Sequence, residues 1–324
     1  MAQTVNWGIL GAAKFARTHM GPAIHSAKGA RLVALATSDA KKAVGFQALE
    51  PSLRVHLGYD ALLADPDIDA VYVPLPNHLH VEWTKRALEA GKHVLTEKPI
   101  AMNADDITGL IAVRDAANRF ATEAFMIVHH PQWQRAKQRY KAGDIGELKH
   151  VEGIFCYNNA SDGANIRNRA DTGGGGIPDI GVYTYGATRW LTGQEPEAIA
   201  HADVTFENRV DVIARVSAQF PGFTAHWVNS MRMMNIQHMV FIGTEGVMTL
   251  TAPFNAGVFD QAELEISAGN NRAVERWPGV DQYVLQVEAF GQHIRDQVPY
   301  PWTLEDARGT QAVIDAVFEK AQAR

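Results

Sequence analysis

Hydrophobic positions recur at two different periods along this chain, and the change falls near its middle. In the first half, short apolar runs at residues 5–10, 31–36, 55–57, 69–74, 93–96 and 121–127 read as strands. Between them, helical spacing continues to His25 and then covers 39–49, 59–64, 81–90 and 103–118. Strands separated by helices of this length make βαβ units and a parallel, doubly wound sheet. Beyond residues 143–147 strand-like runs dominate, several of them alternating, at 148–157, 198–206, 210–220, 223–230, 238–242, 247–250 and 262–267. Short turns such as Pro221-Gly222 separate them, which predicts antiparallel hairpins with one face covered. The pattern therefore predicts an α/β domain over 1–127. An α+β domain over 128–303 follows, with a large, open-faced, mainly antiparallel sheet. A last helix over 304–323, within a closing segment 304–324, is expected to pack back near the first domain.

Composition narrows the partners more than the fold. A chain of 324 residues suggests about two domains, and 46% apolar residues is ordinary for a globular protein. A net charge of −6 argues against nucleic acid or an anionic membrane as the main partner. No apolar run approaches the roughly 20 residues that span a bilayer, and no basic and apolar leader pattern opens the chain. The single cysteine, Cys156, cannot form an internal disulfide. That fits a reducing compartment, and a cytoplasmic location is expected. Cys156 lies in the strand-like run 151–157 and reads as a small buried hydrophobe.

Candidate chemistry gathers where strands end. His93-Val94-Leu95-Thr96-Glu97-Lys98-Pro99 follows Gly91, a helix stop, and sets an acid, a base and a proline at a strand's carboxyl end. Ligands of open α/β sheets bind there, and desolvation brings an ammonium into the range useful for proton transfer. As a bare dipeptide, Glu97-Lys98 reads equally as a solvated surface pair. Residues 8–16, GILGAAKFA, sit where a dinucleotide turn belongs, after the first strand and opening a helix. Gly11 supplies the tight turn, while Ala13 and Ala16 stand where further glycines are usual. The second strand ends Ala36-Thr37-Ser38-Asp39-Ala40-Lys41-Lys42. Thr37 stands in the place of the acid that binds the ribose of NAD. Thr37 and Ser38, with Lys41 or Lys42, suit the extra phosphate of NADP, so NADP is preferred over NAD. Asp39 fits either a ribose ligand or a helix N-cap. Pro74, Leu75, Pro76 and Asn77 hold an extended loop ahead of His78 and His80, with Asn77 suited to an N-cap. The two histidines have no Cys or paired carboxylate near them, so no metal is expected.

In the second half, Thr172-Gly173-Gly174-Gly175-Gly176-Ile177-Pro178-Asp179 calls for unusual backbone angles or a ligand's close approach. Pro178 then reads as the first position of a helix, with Asp179 and Tyr183 on one face of it. The plain alternative is a carboxylate at a helix N-terminus and a half-buried tyrosine.

Trp7-Gly8-Ile9-Leu10-Gly11-Ala12-Ala13, Pro74-Leu75-Pro76-Asn77-His78-Leu79-His80, Glu97-Lys98-Pro99 and Glu123-Ala124-Phe125-Met126 together resemble the Gfo/Idh/MocA family of NAD(P)-dependent oxidoreductases. The resemblance runs over essentially the whole chain. It implies an N-terminal Rossmann sheet and a catalytic lysine at Lys98, with the Lys98–Pro99 bond cis. The family pattern G-G-G…D-x-x-x-H/Y maps onto Gly174, Gly175, Gly176, Asp179 and Tyr183. Tyrosine at the last position resembles the branch of glucose–fructose oxidoreductase and dimeric dihydrodiol dehydrogenase. Tyr183 is then the expected proton relay, Lys98 the group that stabilises the alkoxide, and Asp179 the group that orients substrate hydroxyl or lysine. Arg167 matches a family loop near cofactor and substrate.

Expected cofactor contacts are Gly11, Ala12, Ala13, Lys14, Phe15, Thr37, Ser38, Leu75, Pro76, Asn77, His80, Glu97, Lys98 and Arg167. Phe125, Met126, His130 and Tyr157 are expected to line the substrate pocket beside Lys98, Arg167, Asp179 and Tyr183. The implied reaction moves hydride between a nicotinamide and a CH–OH or C=O carbon of a sugar or polyol. A dihydrodiol or 1,5-anhydrofructose-type reductase is a substrate variant of it. A nucleotide- and sugar-sensing regulator without turnover is the alternative from another class. The resemblance, in which the open sheet face commonly makes an oligomer interface, implies a homodimer or homotetramer.

Overall fold

The computed structural model describes residues 4–322. Residues 1–3 and 323–324 lie outside it, and with them the expected last residue of the closing helix. The chain divides into two compact units: Met1–Ala101 with Asp105–His129 and Asp281–Ala307, and Met102–Ala104 with His130–Val280 and Arg308–Arg324. A linear division at 127 and 303 does not express the return of Asp281–Ala307 to the first unit.

The first unit is built on six parallel strands: β1 (Val5–Leu10), β2 (Ala30–Thr37), β3 (Arg54–Leu57), β4 (Ala70–Val73), β5 (His93–Thr96) and β6 (Ala121–Glu123). Their order is β3-β2-β1-β4-β5-β6. β1 and β4 are apolar almost throughout and buried, as strands covered on both faces must be. The chain runs outward from β1 in one direction and from β4 in the other, so the winding reverses between them. The carboxyl ends at such a reversal are where an open α/β sheet presents its loops to ligand.

Two elements expected in the first unit take another form. The strand expected over 121–127 stops at Glu123, because the Phe125 N–H turns back to Glu123 O at 2.8 Å, and a 3-10 turn follows at Met126–His129. The helix expected over 39–49 splits into a 3-10 turn, Ala40–Ala43, and a short helix, Val44–Gln47. A helix without a sequence-based expectation, Gln282–Asp296, closes the unit. Asp281 caps it by accepting from the Tyr283 and Val284 N–H groups. Its Phe290 ring meets Trp7 at 4.8 Å and Phe120 at 4.9 Å.

The second unit carries an eight-stranded sheet: β7 (Leu148–Asn158), β8 (Ala198–Glu207), β9 (Val210–Phe220), β10 (Phe223–Ser230), β11 (Arg232–Gly243), β12 (Val247–Thr251), β13 (Glu263–Ala268) and β14 (Asn271–Arg276). The order is β14-β13-β12-β11-β7-β10-β9-β8. β7 and β10 pair in parallel and the remaining pairs are antiparallel. β14 escaped the sequence pattern because it is an exposed, charged edge, a composition that discourages pairing with another chain. One face packs on helices Pro131–Lys141 and Val182–Thr192, with Trp133 against Phe241 and Tyr185 against Trp227. On the opposite face Ile154, Val228, Val240 and Ile242 are only half-buried. Glu152 bridges the rings of His150 and His226 beside them.

Candidate active site

In the first unit the expected residues cluster on one sheet edge. The turn after β1 is made by Gly11, at φ +107°, where a Cβ would stand 2.9 Å from the Leu75 side chain. Only glycine takes that backbone without strain. Gly11 N–H donates to Ala36 O at 2.9 Å, which ties the turn to the end of β2. Ala12, Ala13 and Phe15 are half-buried and Lys14 is exposed as the helix opens. This narrow turn leading into a helix N-terminus fits the pyrophosphate of a dinucleotide.

At the tip of β2, Thr37 is buried, and its hydroxyl both accepts from Asp39 N–H and donates to Asp39 O, each at 3.2 Å. The Asp39 carboxylate accepts from Lys41 N–H at 2.9 Å, so it serves as the N-cap of the turn that follows. Ser38, Lys41 and Lys42 are exposed at the same tip.

After β4, Leu75 is buried and Pro76 and Asn77 are half-buried. His80 is fully enclosed. Its Nδ1 lies 2.7 Å from Pro99 O and its Nε2 2.7 Å from Leu75 O. Burial, with Lys98 and His78 adding to it, pushes the imidazole down to about 4, against the pull of the two carbonyls.

β5 ends at Thr96, and Glu97 and Lys98 follow half-buried. The Tyr72 hydroxyl donates to Glu97 Oε1 at 2.5 Å. The Lys98–Pro99 bond is cis, as the resemblance implies. Behind it, Glu123 closes β6 with its carboxylate accepting from Ile100 N–H at 2.9 Å and from Trp302 Nε1–H at 3.1 Å. Burial pushes this carboxyl up to about 7, while both donors and Lys98 pull it down. Phe125 is wholly buried and stacks on Trp302 at 4.1 Å. Met126 is buried in the turn that follows.

The second unit holds a separate group. Gly175 adopts φ +143°, and a Cβ there would overlap the Asp211 carboxylate. A π-helical turn, Ile177–Gly181, then leads into Val182–Thr192, with Pro178 in the first turn as expected. Such turns often mark functional positions. The Asp179 carboxylate accepts the Tyr157 hydroxyl at 2.7 Å and pairs with Arg167 Nε at 2.8 Å. Burial and that carboxylate hold the Tyr157 phenol far above its usual range. Tyr183 is 6% exposed and rests against the rings of Phe155 and Phe254. His130 caps the helix Pro131–Lys141, its Nδ1 accepting from Gln132 N–H at 3.1 Å.

Asp211 on β9 had no sequence signal. It is buried, accepts from Ile177 N–H at 2.6 Å, and burial pushes its carboxyl up to about 7. In an alternating strand it looked like any outward polar position. Glu123 lay inside a quoted motif, but nothing marked its role. A cavity of about 490 Å³ lies at the other edge of the first sheet, lined by Asp69, Lys92, Arg119 and Arg295. Its three cations are spent on backbone carbonyls, which makes it a structural wall.

Comparison with known proteins shows what the whole chain is similar to. Residues 5–125 match GFO_IDH_MocA, described as an oxidoreductase family with an NAD-binding Rossmann fold, and residues 133–249 match the GFO/IDH/MocA C-terminal domain. An uncharacterized oxidoreductase of Rhizobium meliloti, ORF334, is 37% identical over 98% of this chain and 97% of its own. A dTDP-3,4-didehydro-2,6-dideoxy-alpha-D-glucose 3-reductase of Saccharopolyspora spinosa is 34% identical over 91% and 89%. The crystal structure of KijD10, a 3-ketoreductase from Actinomadura kijaniata in complex with NADP and TDP-benzene, matches with TM-score 0.90 and 30% identity over 98% of each chain.

Proposed function

As this chain belongs to the Gfo/Idh/MocA family of oxidoreductases, we propose that it moves hydride between NADP and a CH–OH or C=O carbon of a sugar or sugar-like polyol, with Lys98 and Tyr183 handling the proton. The observation that carries this reading is internal to the first unit: the Gly11 turn and Lys98 lie on the same carboxyl edge of one parallel sheet, with a single strand between theirs. That edge suits a dinucleotide and sets a lysine beside its working end.

The residues fit the coenzyme. Gly11, Ala12, Ala13, Lys14 and Phe15 receive the pyrophosphate, and Thr37 and Ser38 the adenosine ribose or its phosphate. Leu75, Pro76, Asn77, Glu97 and Lys98 flank the nicotinamide end, and Arg167 is a further candidate contact. Asp39 is engaged as a cap, so no acid at the β2 tip is free to select NAD, which supports the preference for NADP. When bound, the coenzyme supplies or accepts the hydride.

Oxidising an alcohol requires that its hydroxyl proton leave as hydride leaves. Lys98 stabilises the developing alkoxide, as a cation aimed at the growing charge. Tyr183 relays the proton. Asp179 orients the substrate hydroxyl, its own carboxylate steadied by Arg167 and Tyr157. Phe125 and Tyr157 help shape the pocket. The Saccharopolyspora and Actinomadura relatives, named as 3-reductases or 3-ketoreductases, favour a keto-sugar carried on a nucleotide as the first substrate to try.

The open face of the second unit's sheet, with half-buried Ile154, Val228, Val240 and Ile242, supports a homodimer or homotetramer. A Val240→Arg chain that stays associated in sedimentation would argue against that face. Among the described residues no helix is long and apolar enough to cross a membrane. A cytoplasmic location is our reading of the single cysteine, which has no partner in the chain for a disulfide. The reaction is tested by following NADPH absorbance against nucleotide-linked keto-sugars, free aldoses, anhydrosugars and diols. Turnover with a sugar or sugar-linked substrate is expected. Tight NADP binding with no turnover across the panel would favour a sensor instead.

A further inference from the structure

We infer that His80 and Glu123 are positioning residues for Lys98, gripping the peptide unit just beyond the lysine from both of its polar ends. The inference rests on the reading of Lys98 as the group that meets the reacting oxygen.

The carbonyl of Pro99 and the N–H of Ile100 belong to one peptide group. His80 Nδ1 lies 2.7 Å from that oxygen, and Glu123 Oε1 accepts from that N–H at 2.9 Å. Both side chains are buried, at 0% and 2% exposure, and so are Pro99 and Ile100. Water therefore has no place in the arrangement, and the peptide's two polar groups depend on these two side chains.

Each side chain has a second polar neighbour. His80 Nε2 faces Leu75 O at 2.7 Å, and Glu123 Oε2 accepts from Trp302 Nε1–H at 3.1 Å. The result is a continuous line, Leu75 carbonyl to imidazole to peptide to carboxylate to indole. Its ends sit on firm elements, since His80 opens the helix His80–Glu89 and Glu123 ends β6. The line also runs through Leu75, in the loop proposed to flank the nicotinamide. One set of buried contacts thus links the main chain that carries the lysine with the loop proposed to meet the coenzyme. A rotation of the Pro99–Ile100 peptide about its flanking bonds would break both contacts at once, so the peptide has one orientation. Displacement of a catalytic group by about 1 Å is enough to cost about a hundredfold in rate.

Both ring nitrogens of His80 face carbonyls, which only accept, and the neutral ring carries one proton; we place it on Nδ1, where it donates to Pro99 O, with Nε2 lying against Leu75 O. The charged and titratable groups around the ring are Lys98 and His78. Nothing in this arrangement leaves His80 a polar atom for the coenzyme, and its contribution is made from behind the lysine.

The test uses the full chain with His80→Gln and with Glu123→Gln. Thr84→Val is the control, because Thr84, on the helix that His80 opens, and Thr96, at the end of β5, share a buried hydroxyl bond of 2.7 Å without touching the peptide. Three quantities are read: kcat against KM, the NADPH dissociation constant, and hydrogen exchange of the Ile100 amide. The expected result for both Gln variants is a fall in kcat of about tenfold to a hundredfold, with KM and NADPH affinity within about threefold of wild type. The Ile100 amide should exchange at least about tenfold faster. Thr84→Val should lower the melting temperature while leaving kcat per folded molecule unchanged. Gln variants with wild-type kcat, or with an unchanged Ile100 exchange rate, overturn the inference alone. A wild-type protein without turnover on any sugar or polyol overturns the reading of Lys98, and the inference with it.

Discussion

The two units build their candidate chemistry in opposite ways. In the first, main chain does the work: the Gly11 turn, the loop after β4 and the turn after β5 all hang from ends of parallel strands. Side chains such as His80 and Glu123 serve by holding backbone in place. In the second, a side-chain network does the work. Asp179 is gripped by Tyr157 from β7 and by Arg167 from a loop, and the turn before it is tied to Asp211 on β9. Backbone sites recognise what all substrates of a class share, here a dinucleotide. Side-chain networks can be rewired to suit one substrate. Coenzyme affinity should therefore depend on the backbone turns of the first unit, and turnover on Lys98 together with the side-chain network of the second, and that separation can be tested.

The largest effects separate the two. Gly11→Ala forces a Cβ toward Leu75 at a backbone angle that suits only glycine, and should weaken NADPH binding by about 100-fold, measured by fluorescence titration. Asp179→Asn should leave that affinity within about threefold and lower kcat by about 100-fold. If both variants lose affinity and turnover alike, the division of labour fails.

Asp211→Asn sharpens the second half of the comparison. Its carboxyl is pushed up to about 7 by burial. A raised acid contributes stability below its unfolded value and loses it as pH rises through the folded one. Asparagine keeps an acceptor for Ile177 N–H and does not titrate. The melting temperature of the variant relative to wild type should therefore improve between pH 5 and about 8. A difference that is flat with pH would show that Asp211 is ionised throughout.

Four histidines report the opposite sign. His80, His93 and His130 are pushed down to about 4 and His129 to about 3, chiefly by burial. His93 and His130 accept backbone N–H groups through Nδ1, bonds that protonation of that nitrogen removes. A lowered histidine contributes stability above its unfolded value near 6.5 and loses it as pH falls toward 4. Glu123 and Asp211 oppose this over part of the window, but they are two against four. Calorimetry should show the melting temperature falling as pH drops from about 6.5 to 4. A constant or rising value would mean the imidazoles are not held neutral.

The smallest effect expected is none. Burial pushes the Cys156 thiol up to about 11. Iodoacetamide should label it at least about a hundredfold more slowly than a free thiol, with activity intact.

What was legible in the chain follows the same division. Parallel strands buried on both faces leave continuous apolar runs, and turns such as Gly11 and Lys98–Pro99 carry their chemistry in adjacent residues. Hence the first sheet and its edge could be read directly. Asp211 could not, because its partner Ile177 lies 34 positions away and no local pattern links a strand acid to a distant helix turn. Gln282–Asp296 was missed although it is a regular helix: it follows a run of strands in sequence and rejoins the first unit, a return that local periodicity does not encode. Asp39 was readable only as two alternatives, and the bond to Lys41 N–H decided for the cap.

The proposal tested most directly is that Lys98 and Tyr183 serve one and the same hydride transfer. Single-turnover hydride transfer, followed by NADPH absorbance in a stopped-flow instrument, tests it with Lys98→Met, Tyr183→Phe and the double variant. Each single change should slow transfer by about 100-fold or more with NADPH affinity kept, and the double change should cost at most about tenfold beyond the slower single, because groups acting as one unit are not additive. Losses that multiply in full, or either single variant transferring hydride at the wild-type rate, would contradict it.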